Sequence, residues 1–69
     1  MKISARNQFK GKVTKVQKGA VNAIVSIEIA GGNVITATVS LAAVEELGLE
    51  VGKEAYAVIK ATSVMVGID

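Results

Sequence analysis

The stretch Ala20-Val21-Asn22-Ala23-Ile24-Val25-Ser26-Ile27-Glu28-Ile29-Ala30 decides the fold. Every second residue from Val21 to Ile29 is aliphatic, and polar residues dominate the alternate positions. Successive side chains of a strand point to opposite faces, so this alternation predicts a strand with one buried face. The spacing is too regular over these eleven positions for a loop.

Two more strands flank this one. Residues 8–18 alternate until Val16 falls on the opposite parity, which predicts a bulge near Thr14-Lys15. On the other side, Gly31-Gly32-Asn33 supplies residues that tolerate positive φ in a tight turn, and residues 34–39 follow as a third strand. The first half of the chain is therefore predicted to be a three-stranded meander.

A short helix of about two turns is predicted next. Ser40 is a good N-cap, aliphatic residues recur at helical spacing over residues 41–47, and Gly48 stands where a left-handed C-cap would be. Residues 54–60 and 64–68 then alternate as a fourth and a fifth strand. This all-β pattern with one short helix matches the five-stranded Greek-key barrel called the OB-fold, although other small barrels also fit.

The composition indicates a homo-oligomer. With 69 residues the chain forms one domain at most, residues 1–69, and a chain of this size buries only about 60% of its unfolded surface. Small proteins need a further source of stability besides their core, and the absence of cysteine excludes a disulfide. Because 51% of the residues are hydrophobic, other subunits are expected to cover part of the apolar surface.

Several functions are disfavoured by the residue types present. There is no histidine or cysteine, and the carboxylates are scattered, so neither catalysis nor a cation site is expected. No apolar run approaches the length of a membrane span, and no signal peptide is evident, so a cytoplasmic protein is expected. Nucleic-acid binding is the alternative that an OB-fold raises, but Phe9 and Tyr56 are the only aromatic residues. A purely structural interaction module also stays open.

Two segments carry donors suited to a small oxyanion. Residues 2–8 contain two cations, a hydroxyl at Ser4, two amides and no acid, with Arg6 at the centre. Residues 60–63 place Lys60 at a strand end before two hydroxyls, where the backbone N–H groups are free. A tetrahedral dianion requires such donors and charges. Each segment alone also fits a solvated terminus or an ordinary turn.

Two further donor sets are weaker. The first amides of the helix after Ser40 attract anions, although Ser40 itself usually caps them. The turn Lys18-Gly19-Ala20-Val21-Asn22 combines a glycine, exposed backbone amides and an asparagine. On a symmetry axis several copies of this turn could converge on one ligand.

In this order and spacing the chain resembles the molbindins, the small Mop proteins that bind molybdate or tungstate, and the related TOBE domains. The resemblance rests on four fragments: Met-Lys-Ile-Ser-Ala-Arg-Asn-Gln-Phe-Lys-Gly-Lys-Val at the start, Lys-Gly-Ala-Val-Asn-Ala in the turn, Ser-Leu-Ala-Ala-Val-Glu-Glu-Leu-Gly-Leu at the helix, and Val-Ile-Lys-Ala-Thr-Ser-Val-Met-Val near the end.

The resemblance implies intracellular storage or homeostasis of molybdate or tungstate, without an organic cofactor, in a hexamer built as a trimer of dimers. It implies one class of interface sites formed by Ser4, Arg6, Ser40, Lys60 and Ala61. It also implies a second class near a threefold axis, formed by Gly19, Ala20, Val21 and Asn22. The two segments of the first class are expected to come from different subunits.

Overall fold

Four strands form one curled antiparallel sheet in the computed structural model, which describes residues 1–69. In chain order the elements are β1 (Asn7–Lys18), β2 (Asn22–Ile29), a 3-10 turn (Ala30–Gly32), β3 (Val34–Ser40), α1 (Leu41–Leu47), β4 (Glu54–Ile59) and a second 3-10 turn (Ala61–Ser63). The order across the sheet is β3-β2-β1-β4. The predicted meander and the helix between the third and fourth strands are confirmed.

The core lies on the face that the alternation of β2 predicts. It consists of six aliphatic residues: Val13, Ala23, Val25, Ile27, Val44 and Ala57. Three of them are consecutive inward positions of β2. Val21, by contrast, lies in the turn before the strand and is 75% exposed, so the buried face begins at Ala23 and not at Val21.

The predicted bulge is confirmed and fixes how β4 joins the sheet. The register of β1 against β2 shifts between Val13 and Lys15. The peptide groups of Val13 then bond to the turn before β4: its N–H donates to the Lys53 carbonyl and its carbonyl accepts from Gly52, both at 2.8 Å. Gly52 has φ +95°, which favours glycine. The bulge thus holds the start of β4 beside β1.

Both predicted caps of α1 are confirmed. The Ser40 hydroxyl oxygen accepts a hydrogen bond from the Ala43 N–H at 3.0 Å. Gly48 adopts the left-handed conformation with φ +62°, and its N–H donates to the Glu45 carbonyl at 3.1 Å. The helix places Val44 on the core. Neither this helix nor any other has the length and apolarity needed to cross a membrane.

The predicted fifth strand over residues 64–68 is wrong for the single chain, because this segment pairs with no strand. Met65, Val66 and Ile68 are at least 93% exposed. An alternation of period two shows which side chains share a face, but it does not show that a partner edge exists. The five-stranded barrel is therefore reduced to an open, four-stranded half-barrel.

The half-barrel is open between its two edge strands. An apolar groove of about 550 Å³ lies there, lined mainly by aliphatic side chains of β3 and β4 together with Met1, Leu47 and Leu49. Only six of the 69 residues are buried. Much of the apolar surface that the composition predicts is therefore uncovered in one chain.

Candidate oxyanion-binding site

The pairing of β1 with β4 brings two predicted site segments together. The first register pair of these antiparallel strands joins Asn7 to Ile59. Arg6 directly precedes this pair and Lys60 directly follows it. The two cationic residues therefore lie at the same corner of the sheet, and one chain supplies both. Contrary to the expectation, no second subunit is needed to bring these two segments together.

No acid neutralises this corner. The chain has one ion pair, between Lys10 and Glu54 at 3.4 Å, so Arg6 and Lys60 have no carboxylate within 4.0 Å. Both cationic residues are exposed. Neighbouring like charges repel, and an anion placed between them replaces this repulsion with two attractions. The corner is thus electrostatically suited to a dianion.

Backbone donors are available beside Lys60. In the turn Ala61–Ser63, the Ser63 N–H donates to the Lys60 carbonyl at 2.9 Å and the Val64 N–H donates to the Ala61 carbonyl at 3.3 Å. The N–H groups of Ala61 and Thr62 have no acceptor within the chain. Ala61 was predicted as a donor through its backbone, and Thr62 adds a second free N–H that the sequence did not single out.

The two amides counted among the donors of residues 2–8 have other partners. Asn7 Nδ2 donates to the Ile59 carbonyl at 3.2 Å, and Gln8 Nε2 donates to the Ala5 carbonyl at 2.7 Å. These hydrogen bonds hold the segment in place around Arg6. The side chains of Ser4, Arg6 and Lys60, by contrast, have no hydrogen-bond or ion-pair partner within the chain.

Ser40 lies elsewhere in the chain. It is the register partner of Asn22, at the end of the sheet where β1 finishes. Arg6 stands before the start of β1, twelve residues away along the strand. Within one chain Ser40 therefore groups with the turn Gly19-Ala20-Val21-Asn22 and not with Arg6. Its oxygen already accepts from Ala43, so only its O–H could donate to an anion.

The turn at this second end borders a polar cavity of about 340 Å³. The cavity is lined by Gln17, Lys18, Gly19, Asn22, Ile24 and Thr38. Ala20 and Val21 do not line it, and the Gly19 N–H already donates to the Asn22 carbonyl at 2.8 Å. Of the four residues predicted here, Gly19 and Asn22 are thus at the cavity.

Two polar residues of this cavity, Gln17 and Thr38, were missed by sequence reasoning. Gln17 and Thr38 are both register partners of Ile24, from the strands on either side of β2. Only the strand pairing brings them together, so the local pattern gave no signal. Lys18 is the first residue of the turn segment that the sequence singles out, although it was not among the four residues predicted to bind.

Other chemistries find little support in the geometry. No group of three or more acidic, cysteine or histidine residues is arranged to hold a metal ion. Phe9 is paired with Ala57 and Tyr56 with Lys10, so the two aromatic rings lie on opposite faces of the β1–β4 ribbon. They cannot form one stacking platform for bases.

Comparison with known proteins gives the family. A TOBE-domain model matches residues 3–66. A probable molybdenum-pterin-binding protein from Haemophilus influenzae is 74% identical over 69 residues, which cover the whole of both chains. The chain belongs to the molbindin family of TOBE-domain proteins.

Solved structures of similar proteins have the same fold. MopII from Clostridium pasteurianum aligns with a TM-score of 0.92 and 57% identity, covering 97% of this molbindin and all of MopII. The cytoplasmic molybdate-binding protein ModG, with molybdate bound, aligns with a TM-score of 0.95 and 46% identity. That alignment covers all of this molbindin and 49% of ModG. The similar proteins are binding proteins by name, not enzymes.

Proposed function

We propose that this chain binds molybdate or tungstate reversibly, as an intact tetrahedral dianion, and acts in its storage or homeostasis in the cytoplasm. The observation that carries the proposal is the corner where Arg6 and Lys60 meet without any neutralising carboxylate. The free N–H groups of Ala61 and Thr62 supply uncharged donors beside them. A buried dianion needs both kinds of compensation.

The site is incomplete in one chain. Ser4, Arg6 and Lys60 are all exposed, and the corner has few surrounding walls. Ser40, which the family resemblance adds to the same site, lies at the other end of the sheet. A second copy therefore supplies Ser40 and excludes water, in a homo-oligomer that the resemblance describes as a trimer of dimers. The turn at Gly19 and Asn22, with its polar cavity, forms the second class of site.

The uncovered apolar surface supports assembly. The groove between β3 and β4 and the tail over residues 64–68 both expose aliphatic side chains. The tail has no partner strand in its own chain, so its exposed aliphatic side chains are available for contact with another copy. The family match over residues 3–66 supports treating residues 1–69 as one oxyanion-binding domain.

Isothermal titration calorimetry with sodium molybdate tests the proposal. The wild-type protein should release or absorb heat with saturation, and Arg6→Ala should weaken binding by at least tenfold, since it removes a charged donor. Lys12→Ala is the matched control, because Lys12 lies on β1, the strand that Arg6 directly precedes, and is beside Glu54 and Glu28 in the register. No heat at any molybdate concentration up to the millimolar range would refute the proposal.

A second titration tests the role of an organic group. Relatives carry molybdenum-pterin-binding in their names. Arg6, Lys60 and the free N–H groups beside them are all suited to the oxyanion itself. Molybdate alone should therefore bind with its full affinity, and added pterin should leave that affinity unchanged. Binding that appears only when a pterin is present would contradict the absence of an organic cofactor.

A further inference from the structure

Asn7 lies where the two segments of the candidate site meet. Its Nδ2 donates to the Ile59 carbonyl across 3.2 Å and so joins residues 52 positions apart in the sequence. It belongs to the last register pair before Arg6 and Lys60, and it is half-buried. The other side-chain hydrogen bonds lie within one local segment or further along the sheet. Asn7 is therefore the side chain that cross-links the two segments.

This junction requires a cross-link because its other features favour separation. Beyond Asn7 and Ile59 the ladder ends, with a bend at Arg6 and a 3-10 turn after Lys60. Arg6 and Lys60 carry like charges on adjoining segment ends, and neither has a carboxylate partner. Strand ends without ladder hydrogen bonds open readily. In the absence of an anion, the Asn7 amide opposes this opening.

We propose that Asn7 is a positioning residue for the oxyanion site, holding the backbones at Arg6 and Lys60 at the separation that a tetrahedral dianion requires. This inference rests on the proposed function. A site that is already ordered binds with a smaller loss of conformational entropy. The amide acts through Arg6 and Lys60, and direct contact between Asn7 and the anion is not required.

The variant Asn7→Leu removes the amide and keeps the size of the side chain. The matched control is Thr14→Val, because the Thr14 hydroxyl also donates to a neighbouring strand, at 3.4 Å from the Ser26 carbonyl, but away from the corner. In molybdate calorimetry Asn7→Leu should raise Kd by about fivefold to tenfold, the equivalent of one neutral hydrogen bond. Thr14→Val should change Kd less than twofold.

A double-mutant cycle separates positioning from a general loss of stability. Asn7→Leu is combined with Lys60→Met, which removes the charge that Asn7 is proposed to place. If Asn7 acts through the corner, it loses its effect on Kd once Lys60 is gone, so the two changes are not additive. Additive changes would show that Asn7 acts on the fold alone and would overturn the inference.

Failure of the proposed function and failure of the positioning role give different binding results. If wild-type protein does not bind molybdate, the proposed function fails and this inference fails with it. If the wild type binds and Asn7→Leu binds equally well, only the positioning role fails. Should Asn7→Leu not fold by circular dichroism, Asn7→Ser replaces it, since its shorter side chain cannot span to Ile59, and the same weakening of about fivefold to tenfold is expected.

Discussion

Replacing Lys60 with methionine tests the electrostatic basis of the site directly. Methionine keeps the unbranched apolar stem and removes the ammonium group. Lys60 has no ion-pair partner in the chain, so the substitution breaks no salt bridge. It also leaves β4 intact, because the strand ends at Ile59. The change is therefore confined to the charge that faces the proposed anion.

The loss of this one charged donor sets the expected loss of molybdate affinity. A hydrogen bond to a charged group contributes about 1.5–3 kcal/mol, so Kd should rise by about 10-fold to 150-fold. At free molybdate of about 100 times the wild-type Kd, the ligand stabilises the wild type by about 2.7 kcal/mol. A variant with a Kd about 50-fold higher gains only about 0.7 kcal/mol at the same concentration.

The assay is thermal unfolding with and without molybdate. For a chain of 69 residues, each kcal/mol shifts Tm by about 4–8 °C. The molybdate-induced rise in Tm should therefore be about 8–16 °C smaller for Lys60→Met than for the wild type. The Tm without ligand should be unchanged or slightly higher, because the repulsion between Lys60 and Arg6 is removed.

Lys10→Met is the matched control. Lys10 lies on the neighbouring strand and forms an exposed ion pair with Glu54, which contributes at most about 1 kcal/mol. Its loss should lower both Tm values equally and leave the molybdate-induced rise intact. An equal rise in Lys60→Met and the wild type, or an equal loss in both variants, would refute the assignment of Lys60 to the site.

Three further predictions concern the fold and the assembly. A Cβ at Gly11 would overlap the Glu28 carbonyl oxygen, so Gly11→Ala should lower the free energy of unfolding by about 1–3 kcal/mol in urea titrations. Ser40→Ala removes the cap to Ala43, which should cost about 0.5–2 kcal/mol in the same titration; it should also weaken molybdate binding if Ser40 joins the site in another copy. Deleting residues 64–69 should give a smaller species in analytical ultracentrifugation, whereas an unchanged sedimentation coefficient would contradict a role for the tail in assembly.

The parts of the fold that the sequence predicts correctly are those whose signals are local. The alternation over β2 shows its buried face because Ala23, Val25 and Ile27 are spaced at two residues. Ser40 and Gly48 mark the ends of α1 because each cap is formed by groups within a few residues. The bulge also appears as a change of parity within β1. None of these features depends on a distant strand.

The partner of a strand is a non-local property, and here sequence reasoning reaches its limit. Residues 64–68 alternate as well as β4 does, yet only β4 has a neighbour in the chain. The turn before β4 is held by the peptide groups of Val13, about forty positions earlier. No local pattern indicates whether an edge is available, so the fourth strand was predicted correctly and the fifth was not.

The candidate site shows the same limit. Donor content selected Arg6 and Lys60 separately, but each segment alone resembled a solvated terminus or a turn. The register between Asn7 and Ile59 makes them neighbours, and it depends on pairing across 52 positions. The family resemblance supplied that link indirectly. It also grouped Ser40 with Arg6, which a single chain does not do.

The separation of Ser40 from Arg6 constrains how copies meet. β1 has twelve residues, and at about 3.3 Å per residue a fully extended strand of that length spans at most roughly 36 Å, a length that the bulge between Val13 and Lys15 shortens. The longest dimension of the chain is 35 Å. A tetrahedral oxyanion touches only donors about 3 Å from its oxygens, so it cannot contact both ends of one chain.

If both residues bind one anion, the Ser40 end of one copy must face the Arg6 end of another. A twofold axis satisfies this contact reciprocally, with Ser40 of each copy facing Arg6 of the other, and a closed ring of copies satisfies it head to tail. Ligand affinity then depends on protein concentration, because dilution below the point of assembly removes Ser40 from every site at once.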